Sequence, residues 1–296
     1  MTAPDGAAAV DTVPPVDEID GAPLSGYVEG DALPGGALAI ERLGVGHRCE
    51  AWLGWSEQLW CPVVVKIPRP HQITHPRARR SLQREVAALE GNLHPALPRL
   101  YADGTQESIP FVIFEHVDGS PLDIAIDEDG ALDEADVPLL AVQLLAAART
   151  VHRRGWAHID IKPENVLVRD GRPVLVDFGS ARRIGAAQPS GKPIGSPGYA
   201  APELEAGKPI SAAMDVYGIG ITLREALAGE PVFDFDLPAH ERPVLEPVSD
   251  SPVGRLVAEM MQAPQRRCGL DDALRRFTRL ADPDGGIVPP VLLRGC

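Results

Sequence analysis

The first 36 residues show no periodic apolar pattern: Ala, Pro, Gly and Asp dominate. Such a stretch buries too little surface to offset the entropy of ordering, so residues 1–36 are expected to form a disordered tail. Three short strand-like runs follow, Ala37–Leu43, Glu50–Trp55 and Pro62–Ile67, separated by a glycine turn and by Ser56–Leu59. They predict an antiparallel meander. From Arg77 to Asn92 the period changes. Leu82, Val86 and Leu89 recur at helical spacing among Arg and Glu, and the pattern stops before Pro95. Strand-like runs return at Leu97–Tyr101 and Phe111–His116. Beyond Asp118 the pattern is mainly helical, with a long apolar stripe at Val137–Val151 and helices at Met214–Leu227, Val253–Met261 and Leu270–Leu280; Val166–Val168 and Val174–Val176 read as short hairpin strands. The expected fold is therefore α+β and bilobal, a small antiparallel β lobe over residues 37–117 and a larger, mainly helical lobe over residues 118–282. Residues 283–296, with Pro283, Pro289 and Pro290, read as an irregular tail.

A chain of 296 residues with 44% hydrophobic content can bury the core that such a pair of lobes needs. It has no run of about 18 apolar residues and no signal-peptide pattern at its start, so the expectation is a cytoplasmic protein without a membrane span. The formal net charge of −14 argues against binding to nucleic acid or to anionic membranes. Half of that charge sits in residues 1–36, on Asp5, Asp11, Asp17, Glu18, Asp20, Glu29 and Asp31, with no Lys or Arg among them. Cys49, Cys61, Cys268 and Cys296 lack metal-ligand or disulfide spacing and read as reduced thiols. Arginine has nearly displaced lysine, leaving only Lys66, Lys162, Lys192 and Lys208, and this singles out the lysines that remain.

Two of them stand in the segments that carry chemistry. The run His158-Ile159-Asp160-Ile161-Lys162-Pro163-Glu164-Asn165 resembles the catalytic loop of protein kinases in its serine/threonine form, and Asp177-Phe178-Gly179 resembles the metal-binding triplet that follows it. The chain is accordingly identified as a member of the eukaryotic-type serine/threonine protein kinase family, of the bacterial kind. The resemblance covers about Ala37 to Leu280. It implies transfer of the ATP γ-phosphate to Ser/Thr hydroxyls of protein substrates, with Asp160 as base, Lys162 on the transferred phosphate, and Asn165 and Asp177 holding Mg2+ (or Mn2+). Val63-Val64-Val65-Lys66-Ile67 resembles the strand whose lysine pairs with phosphates and with a helix glutamate, here Glu85. Gly44 and Gly46 resemble the start of the phosphate-covering loop, but Cys49 replaces its third glycine. Ala51, Val64, Phe114, Glu115, Val117 and Leu167 would line the adenine pocket, with Glu115-His116-Val117 as the hinge.

Gly195-Ser196-Pro197-Gly198-Tyr199-Ala200-Ala201-Pro202-Glu203 resembles the substrate-side segment of the family, Asp215 the buried anchor of the catalytic loop, and Arg267 the partner of Glu203. Two other readings stay open at this point: a catalytically weak pseudokinase scaffold, suggested by Cys49 and Ile159, and a small-molecule phosphotransferase on the same fold. Ile159 stands where many relatives carry an arginine that grips a phosphorylated loop residue, so loop phosphorylation is not expected to switch this enzyme on. Pro238, Pro243, Pro247 and Pro252 argue against a long helix between Phe233 and Val253.

Overall fold

The computed structural model of the chain describes residues 18–19, 21–188, 194–233, 237, 241–243 and 245–282. A two-stranded ribbon, β1 (Glu18–Ile19) and β2 (Ala22–Pro23), precedes a five-stranded antiparallel sheet. The sheet comprises β3 (Leu38–Val45), β4 (Cys49–Ser56), β5 (Cys61–Pro68), β6 (Leu100–Gly104) and β7 (Phe111–Glu115) in the order β3-β4-β5-β7-β6. Alternation along β5 sends Val63, Val65 and Ile67 to one face, where they pack with Ala39, Trp52 and Ile113. It leaves Val64 and Lys66 on the other. Helix α1 (Pro76–Leu89) lies between β5 and β6 in sequence; Pro76 opens it, and the His75 ring accepts a hydrogen bond from the Arg77 N–H at 3.1 Å. Leu82, Val86 and Leu89 are buried as their spacing predicts, and Glu85 is buried in the same stripe.

The second lobe continues through β8 (Ser120–Pro121), α2 (Leu122–Asp129), α3 (Val137–Arg153), β9 (Trp156–Ala157), β10 (Val166–Arg169), β11 (Arg172–Leu175) and β12 (Arg182–Arg183). It closes with α4 (Pro202–Glu205), α5 (Ala212–Ala228), α6 (Pro252–Met260) and α7 (Leu270–Ala281). Helix α5 is buried almost all round, and this requires small residues where other elements cross it. A Cβ at Gly218 would stand 3.0 Å from the Ile161 carbonyl oxygen, so the glycine lets the helix approach the loop before β10 closely. An antiparallel-sheet lobe followed by a helical one is the bilobal α+β arrangement expected.

The expected boundary at residue 36 is corrected. Residues 21–36 are packed on the first lobe. Leu33 is only 2% exposed and joins Ala37, Trp52 and Val63 in one cluster, while Tyr27 stacks edge-on against Trp52 at 6.1 Å. The backbone pairs along the open edge of β3, with Gly30 N donating to Ala39 O (2.9 Å) and Ala39 N to Asp31 O (2.8 Å). The buried Glu50 carboxylate accepts from Ser25 N (2.7 Å) and Ser25 Oγ (2.5 Å). Leu33 and Tyr27, set in a Pro- and Gly-rich stretch, gave no periodic signal, yet both pack with Trp52. Residues 1–17 and 283–296, together with Ser190, lie outside the described residues. So does part of 233–251, whose described positions contain no helix.

Candidate active site

Lys66 stands on the α1-facing side of β5, between Ala51 of β4 and Val112 of β7. Its Nζ lies 2.8 Å from Glu85 Oε1 and 2.7 Å from Asp177 Oδ1. Burial alone would favour the neutral amine, but the Asp177 and Glu85 carboxylates outweigh it and hold the lysine pKa above its ordinary value. The Lys66 charge in turn pulls the Asp177 carboxyl down to about 2, against the effect of burial. Glu85 is pushed up to about 7 by burial, with Lys66 opposing. Asp177 adopts a left-handed conformation (φ 58°) and accepts from Gly179 N at 3.1 Å, which turns its carboxylate back toward the lysine.

The loop between β9 and β10 is held from below by Asp215 of α5. Its Oδ2 accepts from His158 N (2.8 Å) and contacts His152 Nε2 (2.7 Å); its Oδ1 accepts from Ile159 N (2.8 Å). Burial works against this charge, but the His152 hydrogen bond, the neighbouring imidazoles and the Ile159 N–H prevail and hold the carboxyl below its usual value. His158 ties the loop to the next strand through Val176 O at 3.0 Å and packs edge-on against Phe178 at 4.5 Å. Asn165 Nδ2 donates to the Asp160 carbonyl at 2.8 Å. Asp160, Asn165 and Asp177 are thus braced by one network, and the Lys162 ammonium rests on Glu164 at 3.2 Å.

The sequence model of the protein kinase domain family matches residues 38–249. The chain belongs to the protein kinase family. It is 33% identical over 222 residues to serine/threonine-protein kinase PknA of Nostoc sp., covering 70% of this chain and 39% of that one. To serine/threonine-protein kinase PknB of Mycolicibacterium smegmatis it is 31% identical over 211 residues, 67% of this chain and 33% of the relative. A probable serine/threonine-protein kinase of Streptomyces coelicolor is 30% identical over 258 residues, 82% of this chain and 36% of that protein. The chain therefore spans between a third and two fifths of the length of these relatives.

Val64 pairs with Phe114 across the sheet, and Ala51 sits beside Lys66. The Glu115 carboxylate accepts from Arg169 (3.0 Å) and from Arg99 N (3.2 Å). The N–H and C=O of Val117 have no hydrogen-bond partner among the described residues. A Cβ on Gly44 would meet nothing within 4 Å, so packing does not require a glycine there. Among the described residues no three His, Cys, Asp or Glu side chains cluster as a metal cage. One carboxylate and one amide oxygen, from Asp177 and Asn165, suit Mg2+, which takes its other ligands from phosphates and water.

In the segment before α4, Ser196 N donates to Asp160 Oδ1 at 2.9 Å. Gly195 (φ 85°) is needed there, since a Cβ would lie 2.9 Å from Ile159 O. Arg267 grips Glu203 with two bonds, 2.5 and 3.1 Å. Ile159 is 5% exposed and packs with Tyr199, Ala200, Leu204 and Tyr217 beneath this segment, although its φ of 73° is unusual for a β-branched residue. Sequence reasoning missed His152 as the third holder of Asp215 and the Tyr199 hydroxyl bond to Glu225 (2.8 Å); both join residues far apart in sequence and leave no local pattern. Cys49 is buried, and burial pushes its thiol up to about 12, so it is no reactive thiol.

Proposed function

We propose that the chain is an ATP-dependent protein serine/threonine kinase. The observation that carries this reading is the assembled set of charges: Lys66 within 2.8 Å of both Glu85 and Asp177, with Asn165 braced on Asp160. Phosphoryl transfer asks the protein mainly to position groups and neutralise charge. Lys66 holds the α- and β-phosphates, Asn165 and Asp177 hold Mg2+ (or Mn2+), and Asp160 orients the acceptor hydroxyl. The hydroxyl oxygen bonds to the γ-phosphorus, the bond to the β-γ bridging oxygen breaks, ADP leaves and the hydroxyl proton goes to Asp160. The metal, when bound, supplies positive charge against that developing on the phosphate oxygens. Lys162 exchanges its contact with Glu164 (3.2 Å) for the transferred phosphate.

Retention of every charged group weighs against the pseudokinase scaffold. The substrate-side segment, clamped by Arg267 on Glu203 and joined to Asp160 through Ser196, favours an extended peptide over a small-molecule acceptor. Among the described residues no helix is long and apolar enough to cross a membrane; the need for ATP and the unpaired Cys49, Cys61 and Cys268 favour a cytoplasmic site of action in signalling. Radiolabelled ATP with generic protein acceptors tests the reading beside Lys66→Met, Asp160→Asn and Asp177→Asn. Each variant should keep its circular dichroism and lose at least about 10²-fold in turnover. Wild-type rates in both aspartate variants would overturn the assignment, and label appearing only in small molecules would overturn the protein substrate.

A further inference from the structure

Two buried charges at the root of the β3–β4 turn are gripped by a segment of chain that precedes the sheet. Glu50 is 0% exposed, and its carboxylate accepts from Ser25 N (2.7 Å), Ser25 Oγ (2.5 Å), Arg42 Nε (3.1 Å) and Trp52 Nε1 (3.2 Å). Arg42 closes the clasp: its Nη2 donates to Ser25 O (2.8 Å), and its guanidinium lies over the Trp52 ring at 4.6 Å. Just past β5, Arg69 is 1% exposed and donates to Ala22 O (2.5 Å) and Pro23 O (3.4 Å). Opposite charges thus hold residues 22–25 at both ends of this short strap. Buried charges are tolerated only with such partners, so the strap is built into the lobe and not merely laid on it.

The clasp is continuous with the turn. Glu50 pairs with Val45 of β3 and with Ile67 of β5, and Arg69 N donates to Arg48 O at 2.9 Å. Within the turn Gly46 N donates to Cys49 O at 2.8 Å. Side chains alternate along β4: Glu50 and Trp52 face the strap, whereas Ala51 stands on the other face beside Lys66. The strap therefore lies across the sheet from Lys66 and makes no contact with a ligand held there. A two-stranded turn at the end of a sheet has little of its own to fix its position, and here the clasp supplies it. We infer that residues 22–25 position the Gly46–Cys49 turn over the phosphates of ATP, with Ser25 and Glu50 as positioning residues. This rests on the nucleotide reading given above, while the hold of the strap on the turn is measurable without nucleotide.

The test compares wild type, Ser25→Ala, Ser25→Asp and Val63→Ala in the full chain. Ser25→Ala removes one bond to Glu50, and Ser25→Asp sets a second carboxylate against it. Val63→Ala is the control for lost stability: Val63 is 0% exposed on the same face, at the far end of β5, where it pairs with Gly54 and Glu115. In the nucleotide-free chain, amide exchange at Gly46 should be at least about threefold faster in Ser25→Ala and faster again in Ser25→Asp. The KM for ATP should rise about three- to tenfold, the Kd of ADP with Mg2+ from calorimetry should rise with it, and kcat at saturating ATP should stay at wild type. Val63→Ala should lower Tm and leave Gly46 exchange, KM and Kd unchanged. Unchanged exchange or unchanged KM in the Ser25 variants, or an equal rise in Val63→Ala, overturns the inference. A wild type that neither binds ADP nor turns over ATP would instead sink the nucleotide reading, and Gly46 exchange would still decide whether the strap holds the turn.

Discussion

Asp215 offers the sharpest test of how the catalytic loop is held. Its side chain is 0% exposed and takes three hydrogen bonds, two from backbone N–H groups and one from His152. In Asp215→Asn one oxygen becomes an NH2, and either orientation turns that group toward a backbone N–H. With the oxygen kept on His158 N and His152, Ile159 N is left as a buried, unsatisfied donor, at about 1–3 kcal/mol. Removing the charge from a buried network raises the total to about 3–5 kcal/mol. For a domain of this size that is a Tm drop of roughly 6–20 °C, at about 2–4 °C per kcal/mol. Because the folded Asp215 pKa is depressed, its contribution is complete above the unfolded value of about 3.9 and is lost as pH falls through the lower folded value. The deficit of the variant should thus hold from neutral pH to about pH 4 and narrow only below it. Urea unfolding across pH 3–8 reads this directly. In parallel, kcat should fall while the KM for ATP stays near wild type, since Lys66 and Glu85 are untouched. A deficit under about 1 kcal/mol at pH 7 would refute the account of the loop.

Other consequences follow from the same geometry. Leu33→Ala should lose about 2–5 kcal/mol in chemical denaturation, whereas a residue in a structureless tail would lose nothing. Cys49, buried with its thiol pushed up to about 12, should react with iodoacetamide at pH 8 at least about tenfold more slowly than the half-buried Cys61, as read by mass spectrometry. Since Ile159 fills an apolar seat instead of gripping a phosphate, phosphatase-treated wild type should keep its rate; a loss beyond about tenfold, about 1.4 kcal/mol of transition-state stabilisation, would sink that reading.

The two lobes, α1 and the candidate chemistry were legible in the chain because they rest on local information. Alternation in β5 places Lys66 and Val64 on one face, helical spacing places Glu85 among Leu82, Val86 and Leu89, and the loop and triplet around Asp160 and Asp177 are contiguous motifs. Strand ends were less legible: the run expected at Leu97–Tyr101 pairs instead at Leu100–Gly104, because register answers to β7 and not to the run itself. What only the tertiary structure decided are contacts between distant segments whose worth comes from burial. Leu33 and Tyr27 look solitary in a Pro- and Gly-rich stretch, and only the Trp52 surface makes them core. His152 is one more residue of a helical stripe until α5 brings Asp215 to it. Periodicity reports which face of an element is buried; it carries no information about what that face will meet, and desolvation by the partner sets both the charge state and the energy of the contact.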